Sequence, residues 1–116
     1  MRVVLAGAEK GDDLSQLALE VYTYRIKKYI GAYAAVLGRL DALIFTGGIG
    51  ENAPAVRELC CKDLTCLNIE IDPDKNHQPN DGPRQISPSH AGVKVLVVPT
   101  NEELKIARET LKVVKG

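Results

Sequence analysis

The stretch "DALIFTGGIGENAPAVREL", residues 41–59, decides the fold. Its apolar run "ALIF" is entered and left by turn-forming residues, which is the pattern of a buried strand. Three glycines follow at 47, 48 and 50, and Pro54 then stands where a helix would begin. Proline suits a first helical position, with Asn52 or Ala53 as the cap, and the helix should run to about Cys61. Strand, glycine turn and helix start together form a setting in which phosphates and nucleotides are often held.

Upstream, residues 12–40 place Leu14, Leu17, Ala18, Val21, Tyr22, Ile26, Tyr29, Ile30, Tyr33, Leu37 and Leu40 at three- and four-residue steps. That spacing predicts one long amphipathic helix, with Asp13 and Gln16 as a capping box and Gly11 breaking the chain before it. Arg25 among these positions reads as a packed or ion-paired side chain at a contact. Downstream, "CLNIEID" (66–72) predicts a short strand closed by Asp72 and Pro73. Residues 73–92 hold four of the six prolines and almost no apolar residues. They predict an exposed loop with at most a short strand near Ile86. "VKVLVVPT" predicts a second buried strand, and the helix after it should turn Leu104, Ile106, Ala107, Leu111 and Val114 inward. The order of elements argues for an α/β fold with a mostly parallel sheet and flanking helices. Two or three strands cannot cover this much helix, so the sheet should be incomplete.

Composition narrows the function classes. The 116 residues are one small domain's length, 45% hydrophobic, with 15 basic and 15 acidic side chains. No basic excess points to nucleic acid. No apolar run is long enough to span a membrane. Cys60, Cys61 and Cys66 lack metal-site spacing and are odd in number, which favours reduced thiols in a cytoplasmic protein. His77 and His90 lie in polar, Pro-rich surroundings and read as loop residues.

Two motifs remain open to more than one reading. Gly48-Ile49-Gly50-Glu51-Asn52-Ala53 satisfies G-x-G-x-x-A, and Glu70 stands about 20 residues on, where a dinucleotide fold places its ribose-binding acid. The same glycines serve equally well as a tight turn. In "VPTNEELKIARET", Thr100 and Glu103 form a capping box. Glu102 is either a carboxylate favoured by the helix dipole or a ligand that helps hold Mg²⁺ with waters and phosphates.

"YRIKKYIGAY", "LDALIFTGGIGENAPAVRE", "IDPDKN" and "KVLVVPTNEELKIARET", in this order, resemble the C-terminal part of the acetate kinase family. The resemblance implies part of a ribonuclease-H-like domain of the actin and sugar kinase superfamily. It implies reversible phosphoryl transfer from Mg-ATP to acetate, with ATP/ADP as ligands, acetate only in a full-length enzyme, and a homodimer. It places Gly48, Ile49, Gly50, Glu51 and Asn52 at the adenosine end of the nucleotide, and Glu102 at the Mg²⁺. Met1 and Arg2 match the last two positions of an Asp-x-Arg segment of the same pocket. The family's catalytic arginines, histidine and aspartate have no counterpart in these residues, so the chain is expected to be inactive alone. Asn68 departs from the family by standing where Gly is frequent. Apart from the resemblance, the residues leave room for a dinucleotide-binding module using Gly48, Gly50 and Glu70, or for an assembly domain without a ligand.

Overall fold

The computed structural model describes residues 1–79, 81–100 and 102–115, with Glu102 and Glu103 described by backbone alone. In chain order the elements are α1 (Arg2–Glu9), α2 (Asp13–Leu37), β1 (Ala42–Phe45), α3 (Gly47–Asn52) and α4 (Pro54–Cys61). A 3-10 turn (Thr65–Leu67) follows, then α5 (Pro73–Asn76), β2 (Arg84–Gln85), β3 (Lys94–Val97) and α6 (Glu102–Lys115). The described strands form one sheet in the order β1-β3-β2. β1 runs parallel to β3, from Ala42 opposite Lys94 to Phe45 opposite Val97. β2 pairs antiparallel with β3, Arg84 opposite Val97. This is the expected α/β arrangement with an incomplete sheet.

The alternation of strand side chains sets the core. Phe45, Val95 and Val97 are buried on one face, with Val56, Cys60 and Cys61 of α4, Leu19 and Ile30 of α2, and Ile69 and Ile86. Each fully buried aliphatic side chain contributes about 1.5–3 kcal/mol. On the other face Ile44 pairs with Leu96, and Ile44 is 55% exposed. A parallel pair is ordinarily covered on both faces; here one is open.

Helix α2 begins one residue earlier in its cap than the capping box predicts. Asp12, not Asp13, is the N-cap and accepts a hydrogen bond from the Ser15 amide. The helix stops at Leu37 because Gly38 takes a left-handed conformation, φ 75°. Ahead of it lies α1, which the apolar pattern does not announce. It folds back on α2 where Gly7 meets Ser15 so closely that an added Cβ would lie 2.8 Å from the Ser15 Cβ.

Several expectations fail for identifiable reasons. Residues 66–72 are not a strand: Asn68 is left-handed at φ 62°, and the Asn68 and Ile69 amides donate to the nearby Thr65 and Leu64 carbonyls. Asn68 thus occupies a conformation that Gly adopts freely and Asn tolerates. The 73–92 segment is not wholly exposed, because Asn76, Ile86 and Ser87 are fully buried. The long helix buries only Leu19, Thr23 and Ile30, while Leu14, Leu17, Val21, Tyr29, Tyr33 and Leu37 are exposed, as is Arg25. In α6, Leu104, Ile106, Ala107, Leu111 and Val114 are exposed rather than in a core, because among the described residues no other element packs extensively on this helix. No helix among the described residues is long and apolar enough to cross a membrane.

All three cysteines are free thiols, Cys60 and Cys61 buried and Cys66 exposed. Burial pushes Cys60 up to about 11 and Cys61 up to about 12. A thiol-specific chromophoric disulfide at pH 8 should therefore label Cys66 quickly, and Cys60 and Cys61 only on unfolding; three equal rates would contradict this packing. Because the unfolded thiols ionise first, these groups stabilise the fold below their ordinary value near 9. That stability should be lost as pH rises from there towards 12.

Candidate functional site

The two motifs meet at the C-terminal ends of the parallel strands β1 and β3, where open α/β sheets gather ligands. Thr46 Oγ1 donates to the Val98 carbonyl at 2.7 Å. The Thr100 amide and hydroxyl both donate to Glu51 Oε2, each at 3.3 Å. The glycine turn and the start of "PTNEE" are thereby stitched together although some 50 residues separate them in sequence. The turn is itself helical: α3 spans Gly47–Asn52, and Asn52 Nδ2 donates back to the Gly48 carbonyl at 3.0 Å.

The three glycines do three different things. Gly47 leaves the strand at φ 79°, a conformation strained for any side chain. Gly50 packs against the strand it came from, with a Cβ position only 3.3 Å from the Phe45 carbonyl carbon. Gly48 has nothing within 4 Å of its Cβ position and opens onto free space.

Gly48 borders a cleft of about 340 Å³ lined also by Met1, Arg2, Leu5, Ile49, Asn52 and Ala53. Five of the expected site residues therefore converge: Met1, Arg2, Gly48, Ile49 and Asn52. Gly50 and Glu51 do not line it. Gly50 lines a second cleft of about 490 Å³, walled by Tyr22, Ile26, Phe45 and Val56 among others, and Gly48 and Ile49 border this one as well. Glu51 spends its carboxylate on Thr100. The Glu102 side chain lies outside the described residues; its backbone opens α6 two positions after Thr100.

Glu70 does not lie where a dinucleotide fold needs it. It follows the 3-10 turn rather than ending a strand beside β1, and pairs with His90 Nε2 at 3.4 Å. The neighbour of β1 is β3.

Sequence reasoning missed the groups that hold the turn. Arg57, fully buried on α4, donates through Nη1 to the Gly50 and Glu51 carbonyls at 2.9 and 3.0 Å. Its Nε donates to Asn76 Oδ1 and its Nη2 to the Asn76 carbonyl, both at 2.7 Å. Asn76 Nδ2 in turn donates to the Pro54 carbonyl and to Glu58 Oε1. Burial lowers the Arg57 guanidinium from its ordinary value, nearby Arg84 adds to this, and Glu58 and Cys61 oppose it. A signal was present in the sequence: the fourth residue after Gly50 is Pro54, which has no N–H to give the Gly50 carbonyl. A long donor three positions further on was the candidate to replace it.

A family model for the acetokinase family matches residues 1–108. The chain belongs to the acetokinase family. It is 58% identical over 116 residues to the acetate kinase of Nitratidesulfovibrio vulgaris (strain DP4), covering all of this chain and 29% of that protein. The solved structure of Porphyromonas gingivalis acetate kinase superposes with a TM-score of 0.83 at 41% identity, over 97% of this chain and 28% of that one. A propionate kinase from Francisella tularensis gives 0.79 at 40% identity, over 93% of this chain and 27% of that one. The chain thus spans less than a third of the length of these relatives, and its fold is that of the corresponding part of acetate kinase.

The glycine geometry makes a direct test. Gly50→Ala should lower the melting temperature by crowding Phe45, whereas Gly48→Ala should leave it nearly unchanged. Differential scanning calorimetry reads both, and a larger loss at position 48 would refute the assignment of roles.

Proposed function

We propose that this chain is the nucleotide-contacting portion of a phosphotransferase that moves the γ-phosphoryl group of ATP to acetate, reversibly and with Mg²⁺. The observation that supports this best is the convergence of Met1, Arg2, Gly48, Ile49 and Asn52 on one cleft at the strand ends, in a chain of the acetokinase family. Gly48, lacking a side chain, lets a purine nucleoside approach the backbone. Met1, Leu5 and Ile49 provide apolar walls, and Arg2 and Asn52 a polar edge. Glu51 acts indirectly, by keeping the "PTNEE" segment beside the turn.

Glu102 is the residue that would hold Mg²⁺, through its water shell and together with nucleotide phosphates. A single carboxylate suits a hard cation carried largely by water and phosphate rather than by a protein cage. When bound, the cation neutralises charge on the transferring phosphoryl group.

By itself the chain binds ADP or ATP without turning over acetate, since it matches under a third of enzymes that do the whole reaction. It works in the cytoplasm and associates as a homodimer through the apolar surface of α2. Titration with a fluorescent ADP analogue should saturate, with ATP competing and NAD not. Gly48→Val should keep the circular dichroism spectrum and abolish binding. A hydroxamate assay with Mg-ATP and acetate should detect no acetyl phosphate from the chain alone. NAD competing where ADP does not, or a Gly48→Val protein that binds normally, would overturn the reading.

A further inference from the structure

We propose that Arg57, held by Asn76, is the positioning residue of the glycine turn, so that nucleotide affinity is set from α5, outside the cleft. The proposal rests on the reading of the turn as a nucleotide contact. Neither Arg57 nor Asn76 lines the cleft of Gly48 and Ile49. They act on it through backbone carbonyls.

The need for such a group is written into the chain. The last backbone bond of α3 runs from the Ala53 amide to the Ile49 carbonyl at 3.0 Å. The next carbonyl, Gly50, would take its bond from residue 54, which is proline and has no N–H. Helix ends leave such carbonyls to be satisfied by side chains. Arg57 Nη1 supplies the missing donor and reaches Glu51 as well. The rest of the guanidinium is occupied by Asn76, through Nε and Nη2. A planar fork with fixed donors meets both ends at once; an ammonium group is a point charge on a flexible stem and does not. Asn76 is in turn fixed by Pro54 and Glu58, and its backbone belongs to α5, capped by Asp72. The turn's position is therefore read from α5 through one side chain.

The test uses Arg57→Lys, Asn76→Ala and, for rescue, Arg57→Ala in this chain. Amide hydrogen exchange is measured without ligand, and the fluorescent ADP titration is measured alongside. In Arg57→Lys and Asn76→Ala the amides of residues 51–53 should exchange at least tenfold faster. Those of Lys94 and Val98 in the β1–β3 ladder should stay within twofold, and the ADP dissociation constant should rise at least tenfold. Arg57→Ala with added methylguanidinium is the rescue, expected to recover ADP binding and to slow exchange at residues 51–53 in a dose-dependent way. Equal acceleration across turn and ladder would reduce Arg57 to a general stability role and sink the proposal. Unchanged ADP affinity in a protein whose turn exchanges faster would sink it too. If the parent chain binds no ADP, the nucleotide reading fails by itself, and the exchange pattern alone then decides whether Arg57 holds the turn.

Discussion

The structure depends on a buried cation, Arg57, whose hydrogen-bond partners among the described residues are uncharged oxygens. The Arg57 side chain is fully buried, and it donates to three backbone carbonyls and one amide oxygen. Burying a charge costs several kcal/mol unless its hydrogen-bonding capacity is met. Bonds to charged groups recover about 1.5–3 kcal/mol each. Four such bonds make the burial sustainable, and they join α3, α4 and α5 into one unit. The proline at position 54 is the reason for the arrangement: it begins α4 well, and it strips α3 of a donor.

Around this unit the molecule is unevenly finished. The valines of β3, with Ile69, Ile86 and the α4 cysteines, form a dry core with exposures near zero. The open sheet face at Ile44, the outer surface of α2 and all of the described α6 side chains are bare. The Cα radius of gyration is 16.6 Å, against about 13 Å for a compact chain of this length.

How much was legible in sequence differs from element to element. "ALIF" and "VKVLVV" announced themselves through unbroken apolarity, and Pro54 through its helix-start preference. The turn motif pointed to the cleft, and resemblance correctly supplied the family. Periodicity failed in α2 and α6, because an apolar stripe states that a face wants a partner and says nothing of whether the partner is on the same chain. "CLNIEID" alternated like a strand, yet Asn68 in a left-handed conformation closed a local turn instead. Arg57 leaves no periodic trace, its one signal being Pro54 three positions before it, and Asn76 leaves none. The Glu51 carboxylate accepts from Thr100, a contact between distant residues that no local pattern could announce.

The Glu51–Thr100 and Thr46–Val98 contacts have an architectural corollary. They tie the turn to the last residues of β3 in a fixed register, so the distance between the two motifs in space is indifferent to the number of residues between them in sequence. The stretch 88–91, which lies outside both the β1–β3 ladder and the Arg57 unit, is free to lengthen or shorten. Residues 42–57 and 93–100 are not, because a single insertion there would shift the two motifs past one another.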